Sequence, residues 1–385
     1  MKRREFIKYL INGSLLASAF FISSKVKASL HLSLLKKISI VDKWKWRRKA
    51  LYYSVYENNK VLCNLCPNAC ILASGERGIC KTRVNDNGIL FTHTYGNPCA
   101  VHNDPVEKKP LFHFLPGTRT YSIATAGCNL ACLNCQNWSI SQIKPEDATN
   151  YDMSPSVIVD NAVSKGAPSI SYTYTEPVTF YEYVLDTSKL AKARGLKNVL
   201  VSNGYINEKP LKELCQYIDA ANIDLKSFNN DIYRKLNRGS LNPVLQTLKV
   251  LKENNVWLEI TNLIIPSWSD DIQMITDMCQ WLVDNGFAYF PLHFTRFFPA
   301  YKLTNLPITP LSTLQKAREI AIQKGIKFVY IGNVPEAPQY ENTICPNCFQ
   351  IIVERKGNVI NLSNIKNGHC KFCNTKIPGV WSNDI

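Results

Sequence analysis

From Thr120 onward, seven apolar, β-rich runs separated by amphipathic stretches constrain the fold of this chain more than any other feature. They are "TYSIATAGC" (120–128), "PSISYTYTEP" (168–177), "NVLVSNG" (198–204), "AANIDLK" (220–226), "VWLEITNLIIP" (256–266), "YFPLHFTRF" (289–297) and "IKFVYIGNV" (326–334). Helical spacing fills the gaps. In 242–254, Pro243 suits a first turn, and Val244, Leu245, Leu248 and Leu251 recur on one side. In 270–285, Asp270 can cap, Ile272, Ile275, Cys279 and Leu282 share a face, and Gly286 stops the helix. Strand and helix in alternation call for parallel strands joined by right-handed crossovers. Six or seven such units predict an α/β fold, a partial or full β/α barrel. Functional side chains of such barrels gather where strands end and loops begin. Cys128, Glu176, Asn203, Asp224, Lys226, His293 and Arg296 stand near those ends.

The 14 cysteines of this 385-residue chain are unusual in their grouping. Cys63, Cys66, Cys70 and Cys80 form one set, Cys128, Cys132 and Cys135 a second, and Cys345, Cys348, Cys370 and Cys373 a third. Disulfide frameworks belong to small secreted domains, whereas C-x2-C pairs in a long chain point to metals. Cys215 and Cys279 lie on apolar helical faces and read as core, and Cys99 has no evident partner. "CPNC" (345–348) and "CKFC" (370–373) can each present two thiolates tetrahedrally, which predicts a zinc ribbon, with a rubredoxin-like iron as the alternative. So small a unit would draw its stability from the metal. For the first set, zinc in a closed knuckle and an auxiliary [4Fe-4S] cluster both fit the spacing; structural knuckles are usually closed and redox-silent, which favours zinc.

The second set has one ligand too few. Zinc ribbons and ferredoxin-type clusters use four protein ligands, but "GCNLACLNCQNW" (127–138) supplies three thiols at C-x3-C-x2-C spacing. Three thiolates hold three irons of a cubane and leave the fourth free to chelate an amine and a carboxylate, which S-adenosylmethionine (SAM) provides. An electron from the cluster can then split a carbon–sulfur bond and release a 5'-deoxyadenosyl radical. An incomplete ferredoxin, or a zinc site borrowing a distant ligand, is the plainer alternative.

At these residues the sequence resembles radical SAM enzymes, and more closely the AmmeMemoRadiSam-system branch, often described as similar to pyruvate formate-lyase activating enzyme. The likeness is carried by "CNLCPNACILASGERGICKTRVNDNG" (63–88), "DPVEKKPLFHFLPG" (104–117), "GCNLACLNCQNWSISQ" (127–142), "YTYTEPVTFYEY" (172–183) and "IDLKSFNNDIYRKL" (223–236), and it continues through the terminal C-x2-C pairs. It implies that Cys128, Cys132 and Cys135 ligate the catalytic [4Fe-4S] cluster and that Glu176 meets the SAM amino group, which needs an acceptor. It also implies that Asn203, Asp224, Lys226 and His293 line the SAM pocket, with Lys226 pairing the carboxylate. Two positions depart from the pattern: Asn134 stands where an aromatic residue usually precedes the last cluster cysteine, and Val201 where an acidic residue often stands. A cation site borrowed from activating enzymes is therefore not expected.

The resemblance implies an enzyme that takes an electron from a low-potential donor and abstracts hydrogen from a substrate, a small molecule or a partner protein. It also implies Memo-like and AMMECR-like partners. The competing reading is a catalytically silent, metal-stabilised binding or electron-transfer protein. The +15 formal charge has no nucleic-acid motif beside it and reads as a basic surface, so no nucleic acid is expected. Part of that charge lies in residues 1–28, where Arg3-Arg4-Glu5-Phe6-Ile7-Lys8 resembles a twin-arginine export signal and Val26-Lys27-Ala28 offers a cleavage site. A basic amphipathic helix and a single-span anchor are the alternatives, with cytoplasmic location following if export fails. The expected layout is a signal segment (1–28), a linker and Cys-rich domain (29–116), a radical SAM-type barrel (117–338) and a zinc-ribbon-like domain (339–385).

Overall fold

The computed structural model describes residues 44–381, so the twin-arginine-like segment lies outside the described residues. The strands of the main sheet are β1 (Ala100–Pro105), β2 (Arg119–Ala124), β3 (Ser169–Tyr172), β4 (Lys197–Ser202), β5 (Ala220–Asp224), β6 (Trp257–Ile264), β7 (Leu292–Arg296) and β8 (Val329–Gly332). They pair in sequence order. β2 to β8 are parallel, one from each of the seven apolar runs. β1 adds an antiparallel edge. Among the described residues β1 and β8 do not pair with each other, so the barrel is partial.

Six helices connect the parallel strands: α1 (Pro155–Ser164), α2 (Tyr181–Ala193), α3 (Glu208–Cys215), α4 (Leu241–Glu253), α5 (Ile272–Asp284) and α6 (Leu311–Lys324). In α4 the expected Val244, Leu248 and Leu251 are buried. In α5 the cap is Asp271 rather than Asp270: its Oδ1 accepts the Met274 N–H at 2.7 Å. Met278 joins Ile275, Cys279 and Leu282 in the core, and Ile272, at the first position of the helix, is exposed. Cys215 and Cys279 are buried, as their helical faces predict.

The sheet face turned away from these helices is polar. Thr120 and Ser171 share a hydroxyl contact of 2.7 Å, and Thr261 donates to Asn222 at 2.8 Å. A polar concave face must be filled or satisfied, and residues 106–115 do this near the strand starts. Val106, Leu111 and Phe114 pack on Val199 and Ala220, and Glu259 accepts the N–H groups of Phe112 (2.9 Å) and His113 (2.7 Å).

Two small three-stranded antiparallel sheets form from residues 48–92, and another from Thr343–Ile344, Ile351–Lys356 and Val359–Ser363. The C-terminal segment shares one apolar cluster with the barrel, in which Phe112, Phe328 and Tyr330 meet Cys345, Ile352 and Val353. Buried Arg355 ties the two by donating to Phe112 O at 2.7 Å and Thr343 Oγ1 at 2.8 Å.

Candidate functional site

Cys128, Cys132 and Cys135 sit on the loop that leaves β2, at the C-terminal ends of the parallel strands. Gly127 enters that loop with φ +104°, and a Cβ there would strike Thr82 and come within 2.7 Å of Cys80 O. Glycine is therefore needed both for its dihedral and for this close approach. The loop is spliced to a single π-helical turn, Tyr233–Asn237: Ala131 donates to Asn237 O at 3.0 Å and Leu133 to Leu236 O at 2.9 Å. Such turns recur at functional sites because the extra residue redirects a side chain, and here Asn237 Nδ2 is directed to Cys132 Sγ at 3.2 Å. The other sulfurs also have donors nearby. Leu130 N–H reaches Cys128 Sγ at 3.4 Å, Asn203 Nδ2 lies 3.8 Å from the same atom, and Ser141 Oγ is 3.2 Å from Cys135 Sγ.

Donors of this kind suit thiolates on a metal cluster. The surrounding protein otherwise opposes charge: desolvation first, then the Glu176 carboxylate and the neighbouring thiols, push the Cys128 thiol well above its usual value. A cationic centre shared by the three sulfurs would relieve that cost. The residues present thus fit an iron–sulfur cluster.

Beside Cys132 lies a small cavity lined by Asn134, Asp224, Lys226, Asn237 and Thr261, with Leu236, Leu263 and Ile265 as its apolar wall. Lys226 Nζ pairs with Asp224 Oδ2 at 2.8 Å. Burial works against the ammonium, but Asp224 and the Cys132 sulfur hold its pKa above the usual lysine value. Asn134 Oδ1 and Asn237 Oδ1 are buried without a protein partner. A pocket holding a cation and two unmatched acceptors is suited to a ligand that carries both a carboxylate and an amine.

Glu176 and Asn203 stand at the ends of β3 and β4 and adjoin the loop. Glu176 accepts from Val178 N–H (3.1 Å), Ser202 Oγ (2.7 Å) and Asn203 N–H (2.8 Å). Burial outweighs these donors and raises its pKa to about 7. Asn203 Nδ2 also donates to Asn129 Oδ1 at 2.9 Å, so the end of β4 is knotted to the cysteine loop.

The structure places His293 elsewhere. Its Nε2 is 2.7 Å from Glu259 Oε2, and its ring lies edge-on to Phe112 and stacks on Tyr330. The physical reason is Glu259, a carboxylate fully buried near the start of β6. Burial alone would raise its pKa, but the His293 hydrogen bond and the charges of His293 and His113 bring it below the usual range. His293 is thus engaged with the barrel floor. In the sequence Glu259 is one polar residue within the run 256–266, and Asn237 lies outside every motif. Neither carries a local signal, because one acts through strand register and the other through a π-turn.

Of the two remaining cysteine sets, the third is compact. All four sulfurs of Cys345, Cys348, Cys370 and Cys373 lie within 4.8 Å of one another. In the first, Cys63 and Cys66 are buried, Cys70 and Cys80 half-buried, and all four line one cavity against the Cys128 loop.

The radical SAM superfamily model matches residues 122–279, from β2 into α5. The uncharacterized protein MJ0808 of Methanocaldococcus jannaschii is 46% identical over 336 residues, covering 86% of this chain and 99% of that protein. The pyruvate formate-lyase 1-activating enzyme of Escherichia coli (strain K12) is 24% identical over 220 residues, covering 53% of this chain and 89% of that enzyme. Among solved structures, a domain of pyruvate-formate lyase-activating enzyme from Bacteroides vulgatus ATCC 8482 matches at 15% identity and a TM-score of 0.36, covering 42% of this chain and 98% of that one. The chain belongs to the radical SAM superfamily, with activating-enzyme-like homologues. Membership supports an enzyme and implies a [4Fe-4S] cluster and SAM.

Proposed function

We propose that this protein reductively cleaves SAM at a cluster held by Cys128, Cys132 and Cys135 and abstracts hydrogen from a substrate yet to be identified, in the manner of an activating enzyme. The observation that carries the reading is the three-thiol loop, each sulfur with a nearby donor, next to a cavity offering Lys226 and two unmatched amide oxygens. When bound, the cluster supplies one electron to the sulfonium, and the carbon–sulfur bond breaks to give a 5'-deoxyadenosyl radical. This chain's own residues do the positioning. Lys226 pairs the SAM carboxylate in place of, or beside, Asp224. Asn134 and Asn237 accept from its amine or ribose hydroxyls, and Leu236, Leu263 and Ile265 keep water from the reacting bond. Glu176 and Asn203 hold the end of β4 against the cysteine loop, and an amine reaching Glu176 would find a carboxylate already poised near neutrality.

The test is anaerobic reconstitution followed by dithionite and SAM. The expected product is 5'-deoxyadenosine, and its absence from a fully loaded protein would favour the silent binding or electron-transfer reading. Transfer of deuterium from candidate substrates into 5'-deoxyadenosine would identify the hydrogen donor.

Three further parts belong to the same proposal. Cys345, Cys348, Cys370 and Cys373 hold zinc; the 3.6 and 3.7 Å pairs match the roughly 3.8 Å sulfur spacing of tetrahedral zinc with bonds of about 2.3 Å. The quoted motifs support the AmmeMemoRadiSam branch, with Memo-like and AMMECR-like proteins and a low-potential donor as partners. Residues 1–28 direct twin-arginine export, and an Arg3→Lys/Arg4→Lys variant that fractionates with the wild type in the cytoplasm would refute this.

A further inference from the structure

The four N-terminal thiols are arranged differently from the C-terminal four. In the C-terminal set two sulfur pairs touch at 3.6 and 3.7 Å, and all four ligand atoms fall within 4.8 Å. Among the described residues that is the only such group of three or more, so no three sulfurs of Cys63, Cys66, Cys70 and Cys80 approach so closely. A single zinc draws its thiolates to within about 4 Å of one another, whereas a cubane holds one thiolate on each iron corner and so keeps its four ligands further apart. The four nevertheless converge. They line one small cavity together with Gly78, Arg83 and Asn129. A Cβ added at Gly78 would stand 3.6 Å from Cys80 Sγ and 3.8 Å from Cys70 Sγ, so both sulfurs lie close to that stretch of backbone.

Each sulfur has a polar neighbour. Arg83 Nη1 lies 3.7 Å from Cys63 Sγ, and Thr82 Oγ1 is 3.2 Å from Cys80 Sγ. The backbone N–H groups of Asn68 and Ile79 bond the Cys66 and Cys70 sulfurs. Arg83 is fully buried and is balanced by Glu182, so a cation is built into the wall of a cavity whose other ionisable groups are thiols. A separate polar neighbour on each of four spread thiols matches a cubane, which carries one thiolate per iron corner and draws hydrogen bonds to its sulfurs.

We propose that Cys63, Cys66, Cys70 and Cys80 bind a second [4Fe-4S] cluster, closed by four thiolates and seated directly against the loop of the open one. The contact between the two sites is intimate. Asn68 Nδ2 donates to Asn129 O at 2.7 Å, Thr82 Oγ1 to Thr179 O at 2.9 Å, and Cys80 O presses on Gly127, the residue before Cys128. In that position the second cluster relays one electron from an external low-potential one-electron donor to the site of Cys128, Cys132 and Cys135. The donor is oxidised by one electron, the open cluster is reduced by one, and no proton moves. The relay rests on the proposed SAM chemistry; occupancy of the four-thiol site does not.

The test is a metal count on protein made and kept anaerobic, for the wild type and for Cys128→Ala/Cys132→Ala/Cys135→Ala. We expect about eight irons and one zinc per wild-type chain, and about four irons with matching sulfide in the triple variant. Reduction of that variant should give a paramagnetic cluster signal indifferent to SAM. About four irons and two zincs in the wild type, or an iron-free variant that still carries zinc at both remaining sets, would overturn the proposal. Should the triple variant not fold, the wild-type count decides alone. Eight irons whose spectra ignore SAM would leave this proposal standing and sink the SAM reading.

Discussion

The first and last cysteine sets use the same C-x2-C unit and do opposite things with it. At the C-terminus the two knuckles close on each other, leaving room for one ion. In Cys63–Cys80 the chain runs on through a third thiol at Cys70 and a fourth at Cys80, both half-buried, and the sulfurs ring a cavity that leans on the catalytic loop. Ligand spacing in the sequence thus points to a metal without naming it. Whether it is one ion or a cluster depends on how far apart the host backbone holds the sulfurs. The C-terminal set lies in a small sheet with little core of its own, where a bound metal would stabilise the fold. The other two sets lie against a large, finished core, and there the three-thiol loop of Cys128, Cys132 and Cys135 can leave a coordination position unfilled.

The largest expected effect breaks this comparison at its closed end. A strong zinc chelator should remove one metal per chain and raise hydrogen exchange across Ile351–Lys356 and Val359–Ser363. It should cost several kcal/mol, because structural zinc contributes on the order of 10 kcal/mol. Iron should stay in place; release of iron with an intact C-terminus would reverse the comparison. Next comes Lys226→Met, which removes the cation from the cavity beside Cys132 and should weaken SAM binding at least about tenfold, roughly 1.4 kcal/mol, without changing iron content. Equilibrium binding to the unreduced protein measures it.

A smaller effect concerns pH. Burial pushes His113 down to about 4, against the opposing Glu259 charge. An unfolded histidine protonates near 6.5, so the unfolded chain binds the extra proton first and stability falls as pH drops from about 6.5 toward 4. Between pH 7 and 5.5 the loss should be about 1 kcal/mol, and His113→Gln should flatten it in denaturant titrations. The smallest effect should come from Asn237→Ala, which deletes the donor to Cys132 Sγ. It should make the open cluster harder to reduce and slow 5'-deoxyadenosine formation about threefold, the scale of one hydrogen bond. Unchanged potential and rate would show that the π-turn is only structural.

The parallel sheet was legible because each buried strand is a continuous apolar run, and all seven became strands. β1 was not, since "AVHNDP" has neither alternation nor a long apolar stretch and owes its place to pairing with β2. The cysteine sets were legible from spacing alone. Asp271 in place of Asp270 shows the usual limit on helix ends, where adjacent acids compete for one cap. His293 is held by Glu259 for a longer-range reason. Strand position located it correctly along β7, but nothing local revealed that a buried glutamate two residues into β6 would claim its ring. Asn237 was invisible because a π-turn, not a periodic face, aims it.

The stopper at the strand starts has its own consequence. His113 is fixed between Tyr330 Oη and Pro378 O, each at 2.7 Å, and Val380 exchanges backbone bonds with the segment at His113 and Leu115. Reactant and product would therefore have to pass Cys128 and Lys226, at the opposite ends of the strands. A macromolecular target would have to offer its reacting carbon on a finger thin enough to enter there, while starving the tail of its metal would loosen the base of the vessel rather than its mouth.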